Sequence, residues 1–234
     1  MTNYFTSIPR THYSCLVRLG VPIVVGQLGT VVLGFADTLM IGHHSMQELA
    51  AASFVNVMFT LVVIFAMGFS YGLTPIVGNH YGRGEHEAIG NVLRNSMAAN
   101  TVLCALMLVV CTAFYMGLDY MGQPTELLPL MHPYLLVNIV SLPFMCWFNC
   151  FKQFFDGITH TRTPMYVIVG GNVLNIVGNA VLIYGLGPFP EMGLLGAGIS
   201  TLFSRVMMCV AFAVIFFSLR KYRVYRDACL KRSE

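Results

Sequence analysis

Six stretches of this chain, at about 16–41, 49–77, 95–118, 127–151, 163–187 and 192–219, are apolar over lengths that match a bilayer. A crossing helix needs about 20 such residues, so each stretch spans once. Barrel strands would read as alternating segments of about ten residues, and nothing here alternates. The expected fold class is therefore all-α: a polytopic membrane protein folded as a six-helix bundle. Only 10% of the residues are charged and mean hydropathy is +0.71, where a soluble domain carries about 25% charged residues. The first stretch is too long for the apolar region of a signal peptide and has no small-residue cleavage site, so it is expected to stay in the mature protein.

The basic residues orient the bundle. Arg10, Arg18, Arg83, Arg94, Lys152 and Arg162 fall in the segments on one side, together with Arg220, Lys221, Arg223, Arg226, Lys231 and Arg232 near the C-terminus. The opposite loops, 43–48, 119–126 and 188–191, contain no Lys or Arg. By the positive-inside rule both termini are cytoplasmic, and the expected location is a cell's inner (plasma) membrane. The net charge of +3 is thus an orientation signal facing the lipid bilayer, and no nucleic-acid partner is expected. Residues 1–220 are expected to form the six-helix bundle, and 221–234 read as a basic cytoplasmic tail or a linker. Short loops predict that consecutive helices are antiparallel neighbours.

Chemistry of the enzymatic kind is not expected. His86-Glu87 opens a zincin-like pattern, but Gly90 stands where the second histidine is required. There is no nucleophile elbow, Walker A sequence or dinucleotide fingerprint. The seven cysteines include no CxxC spacing and lie mostly inside apolar runs, where cysteine behaves as a small hydrophobe. Gly193, Gly196, Ala197, Gly198, Ser200 and Ser204 keep one part of the sixth span small, which lets a neighbouring backbone approach.

Asp37 is the lone carboxylate inside an apolar core. A charge at mid-bilayer costs about 2.5–3.5 kcal/mol on insertion scales, so such a residue faces a cavity or a partner. On the same helix Gln27, Gly34 and Thr38 share a face, with Thr30 and Asp37 to one side. Asn172, Asn175 and Asn179 follow at i, i+3 and i+7 on the fifth span, and Ser53, Asn56 and Thr60 repeat that spacing on the second. Asp37, Asn175 and Asn179 lie at similar depth, so a carboxylate and two amides can meet there. Such a group can hold Na+, take up a proton, or pair with a cationic ligand. Gln27, Gly34, Thr38, Asn56 and Asn172 are candidates for the cavity wall, although an intramembrane asparagine also serves to hold helices together. Arg205, the other charge within a span, can pair with a carboxylate, line the cavity or snorkel.

These residues resemble the multidrug and toxic compound extrusion (MATE) family in its NorM-like branch. Pro22, Gly26-Gln27, Ala36-Asp37-Thr38-Leu39-Met40-Ile41-Gly42 and Leu49-Ala50-Ala51 look like that family's opening helix. Gly78-Asn79-His80-Tyr81-Gly82, then Phe155-Asp156-Gly157 with Thr163-Pro164, are similar to its later connections. The most specific stretch holds Asn172, Leu174-Asn175, Asn179, Tyr184-Gly185, Pro190, Gly193, Gly196-Ala197 and Thr201.

The resemblance implies a secondary exporter that exchanges Na+ or H+ for small organic cations, with no enzymatic activity and no cofactor beyond the coupling ion. It implies twelve helices in two lobes, of which this chain resembles the N-terminal six, so a second six-helix lobe is expected in the same full-length chain. It assigns cation coupling to Asp37, with Asn175 and Asn179 lining the same site, and makes Asp37 the ligand if the ion is Na+. Thr201 joins the cavity-lining candidates on the same ground. Two alternatives remain at this point: a flippase for lipid-linked precursors from the same superfamily, and a half-size membrane subunit that does not transport.

Overall fold

A computed structural model describes residues 10–230. The N-terminal segment 1–9, the side chain of Arg10, and Lys231 and Arg232 of the basic tail lie outside what is described. Eight α-helices follow in order: α1 Arg10–His44, α2 Met46–Tyr71, α3 Leu73–Gly82, α4 His86–Gly117, α5 Leu128–Gly157, α6 Arg162–Ile183, α7 Gly193–Ser218 and α8 Arg223–Leu230. Six spans are long and apolar enough to cross a membrane, with α2 and α3 together forming one of them.

The span expected at 49–77 runs from Met46 to Gly82 and is interrupted at Gly72. Pro75 explains the interruption, because its ring nitrogen has no hydrogen for the Tyr71 carbonyl. The span expected at 95–118 begins nine residues earlier, at His86. Its first turns are too polar to register as apolar, yet Ile89, Gly90 and Leu93 are buried. The span expected at 163–187 stops at Ile183. Gly185 (φ 65°) and Gly187 (φ 80°) turn the chain there, and a Cβ on Gly185 would stand 2.7 Å from the Glu191 amide nitrogen.

Consecutive helices are not always neighbours, contrary to expectation. α5 and α6 are joined by a four-residue connection, 158–161, yet they scarcely touch, while α7 packs extensively against both. α6 in turn lies between α7 and α1. Small residues impose this order. A Cβ on Gly26 would lie 3.5 Å from Ile168 Cδ1, and one on Gly29 would lie 3.0 Å from Asn172 Nδ2, which brings α1 onto α6. A Cβ on Gly196 would sit 2.6 Å from the Leu182 carbonyl oxygen, which brings α7 onto α6. In lipid, where apolar burial drives little helix association, such close backbone packing is a main source of attraction.

The segment from 221 onward, expected as a tail or linker, contains a docked helix. Tyr222, Tyr225 and Ala228 are buried, and α8 lies against the start of α4 so closely that a Cβ on Gly90 would stand 2.5 Å from the Tyr225 carbonyl oxygen. Beneath it Phe151, Phe154, Phe155, Phe212 and Phe216 form an aromatic core at the basic end of the bundle. Phe155 stacks on Phe212 with ring centroids 5.4 Å apart. A second core, around Val55, Phe59, Leu135, Leu142 and Ile183, fills the opposite half.

Candidate functional site

Asp37 lies seven residues before the end of α1, and Asn179 lies four before the end of α6, so both sit in the half of the bundle away from the basic end. Asn179 Nδ2 donates to Asp37 Oδ1 at 2.5 Å and to Asn175 Oδ1 at 3.0 Å. Asn175 Nδ2 donates to Thr201 Oγ1 at 3.1 Å, and that hydroxyl donates to the Ala197 carbonyl at 2.9 Å. Ser200 Oγ holds the Asn175 carbonyl at 2.8 Å. The expected trio therefore meets, and Thr201 of α7 joins it.

The orientation of each amide follows from the chain itself. A carboxylate only accepts, so Asn179 must present its NH2 to Asp37. Its second N–H then goes to Asn175 Oδ1, which leaves the Asn175 NH2 for Thr201. Asn179 thus donates in both directions, and from Asn175 through Thr201 to Ala197 every donor points away from Asp37. The Asn179 Oδ1 is left buried without a donor. Asp37 contributes a second carboxylate oxygen with no hydrogen bond among the described residues. A buried acceptor without a partner costs about 1–3 kcal/mol, so these oxygens suit a cation or a proton-bearing group.

Arg205 sits beside this site. Its Nη1 donates to Ser141 Oγ, which passes its own proton to the Asn138 carbonyl at 2.7 Å. The guanidinium lies over the Phe59 ring, 5.5 Å from the centroid, and within Coulombic reach of Asp37. Arg205 is thus anchored to α5 and α2, and among the described residues it makes no ion pair with a carboxylate. Tyr134, which sequence reasoning passed over, donates to Asn56 Oδ1 at 3.1 Å and accompanies Asn138 and Ser141 at i, i+4 and i+7 on α5. That spacing was the available signal.

The remaining candidates fall into two places. Gln27, Gly34 and Thr38 of α1 and Asn56 of α2 are exposed on the bundle surface, with Ser53 and Thr60 beside Asn56 on its helix. Asn172 is buried between α6 and α1, and its Nδ2 has no partner. It lies at the helix contact with Gly29, apart from the Asp37 row. The sequence also gave no warning of His44, whose ring contacts Glu48 Oε2 at 2.7 Å and Glu191 Oε1 at 2.8 Å.

A family model, MatE, matches residues 22–181, which include Asp37, Asn175 and Asn179. The chain belongs to the MatE family. It is 28% identical over 90% of its length to a probable multidrug resistance protein NorM of Photorhabdus laumondii, covering 47% of that protein. It is 27% identical over 93% of its length to the multidrug resistance protein MdtK of Klebsiella pneumoniae, again covering 47%. Among solved structures, a MOP superfamily transporter from Pyrococcus furiosus superposes with a TM-score of 0.81 at 24% identity, over 93% of this chain and 48% of that one. A multidrug resistance MATE family transporter in its outward-facing conformation gives a TM-score of 0.79 at 24% identity, over 94% of this chain and 48% of that one. The MatE chain thus spans about half the length of the relatives it matches, as one NorM-like six-helix unit. Members of this family are transporters, not enzymes.

Proposed function

We propose that this chain is the N-terminal lobe of an antiporter that exports organic cations in exchange for Na+ or H+. The observation carrying the proposal is the Asp37 carboxylate tied to Asn179, with the Asn179 oxygen left open beside it. The printed names of the NorM and MdtK relatives, as multidrug resistance proteins, support the substrate class. The exposed polar faces on α1 and α2, carrying Gln27, Thr38 and Asn56, suit contact with a second lobe across a wet cleft better than contact with lipid. The basic end faces the cytoplasm of the inner membrane in this reading, so the Asp37 site opens outward.

Ion uptake acts on the direction of the hydrogen-bond row. With Asp37 ionised, Asn179 donates to it and to Asn175, and Asn175 and Thr201 donate onward, away from the carboxylate. A proton on Asp37 makes its carboxyl a donor, and Asn179 then turns its oxygen to accept that O–H. Asn175 turns in response and donates to the same oxygen, and the Thr201 hydroxyl swings from Ala197 to the Asn175 oxygen. One proton on α1 thereby changes the bonding of α7. Na+ acts on the same atoms by occupying the open carboxylate and amide oxygens, a donor set of the hard type it prefers. Either ion shifts the transport equilibrium only by its differential affinity for the two states.

The decisive experiment is Asp37→Asn in the full-length protein. Membrane insertion is expected to be normal and ion-driven efflux of a lipophilic cation to be lost. Efflux at the wild-type rate overturns the proposal.

A further inference from the structure

At the basic end, a cavity of about 530 Å3 opens between the start of α1, the α5–α6 connection and the turn into α8. Arg18 of α1, Arg162 at the first position of α6, and Lys221 all line it, with His160, Thr161 and Tyr222 between them. None of the described residues lining it is acidic. Among the described residues none of these three cations has an ion-pair partner. Cations that merely flank a membrane span have no need to converge from three elements on one cavity. A converging set without a counter-charge attracts an anion.

The chemistry beside the cavity says which anion. Arg162, Tyr166 and Gly170 form an i, i+4, i+8 row on α6. Tyr166 and Gly170 line a second, almost wholly apolar groove of about 340 Å3, closed by Leu174 and by Met207, Met208 and Ala211 of α7. The row therefore leads from a cationic cavity into an apolar channel along one helix face. Arg162 and Leu174 are roughly 18 Å apart along the axis, at 1.5 Å per residue. A charged head followed by a hydrocarbon chain has this shape, and a free inorganic anion does not. We propose that the cavity holds the phosphate of an anionic phospholipid, with an acyl chain in the α6–α7 groove.

His160 adds a pH response to the site. Burial and the neighbouring Lys221 ammonium hold its imidazole below the usual histidine range, and Tyr222 Oη lies 3.2 Å from its Nδ1. The other titratable groups facing it are Arg18, Arg162 and Tyr222. A bound phosphate relieves the repulsion from Lys221, so the anion and a proton on His160 favour each other, and retention rises as pH falls.

The test is native mass spectrometry of the full-length protein in detergent, supplied with phosphatidylglycerol or phosphatidylcholine. The wild type is expected to retain phosphatidylglycerol over phosphatidylcholine. Arg18→Gln/Arg162→Gln/Lys221→Gln is expected to lose about a hundredfold in that affinity, from the usual worth of three basic residues at an anionic surface. Gly170→Leu fills the groove, since nothing lies within 4 Å of a Cβ there, and is expected to weaken retention with all three cations intact. If the triple variant folds poorly, Lys221→Gln alone is expected to lose severalfold. Equal retention of the two lipids by the wild type, or unchanged retention by the charge variants, overturns the proposal. So does displacement of the lipid by excess inorganic phosphate, or indifference of retention to Gly170→Leu.

Discussion

Asn179 reaches across from α6 to donate to the Asp37 carboxylate at 2.5 Å, and the same amide group donates to Asn175 at 3.0 Å. One nitrogen thus fixes both the rotamer of the charge and the polarity of the row behind it. Asp37 is held at that depth by this amide together with the nearby charge of Arg205.

Asn179→Ala removes both donations. Hydrogen bonds to charged groups are worth about 1.5–3 kcal/mol, so the variant is expected to melt several degrees lower in detergent. Ion binding, read by calorimetric titration of the full-length protein, is expected to weaken as well. An unchanged melt with unchanged binding means that Asn179 does not hold the carboxylate.

Thr201→Val tests the reversal of the row. Valine keeps the shape and loses the hydroxyl that both accepts from Asn175 and donates to Ala197. Proton-driven efflux is expected to fall while insertion and expression stay normal. Thr201→Ser, which keeps the hydroxyl, is expected to restore efflux. If valine transports as well as threonine, the signal does not pass through α7 by this route.

The spans and the central trio were legible in the sequence for a simple reason. Long apolar runs have one solvent in which they are stable, and Asp37, Asn175 and Asn179 match in depth as well as polarity. What stayed hidden depends on contacts between distant residues. Nothing local tells Asn138 and Ser141 that Arg205 will sit across from them, or Tyr134 that Asn56 will. The eight residues of α8 are too few to be a stable helix alone, and they form one by docking on Gly90. The wedging of α7 between α5 and α6 follows from glycines whose partners lie on other helices.

Those glycines make a paired prediction. Gly196→Ala pushes a methyl group against the Leu182 carbonyl, 2.6 Å away, and is expected to destabilise the bundle by about 1–3 kcal/mol. Gly34→Ala meets nothing within 4 Å and removes backbone freedom, so it is expected to leave the melt unchanged or raise it by roughly 0.5–1 kcal/mol. Thermal unfolding in one detergent compares them directly, and equal effects would mean that α6 and α7 are not packed at Gly196.

His44 closes the end of the bundle opposite the basic one. Its Nδ1 faces Glu48 and its Nε2 faces Glu191, while His43 and Tyr184 lie against the same cluster. Both ring nitrogens can donate only when the imidazole is protonated. The neutral ring keeps one of the two bonds and sets its other nitrogen against a carboxylate. The bonds to Glu191 and Glu48 hold the proton on His44 above the ordinary imidazole range near 6.5, so the clasp between α1, the start of α2 and the α6–α7 loop is complete at low pH and loosens as pH rises beyond that range. Because Glu191 is exposed, the effect is a fraction of a kcal/mol to about 1. Hydrogen exchange of the 185–192 loop is expected to quicken with pH beyond the intrinsic chemical rate in the wild type. In His44→Phe that excess is expected to vanish, and its persistence there would assign the pH response to another group.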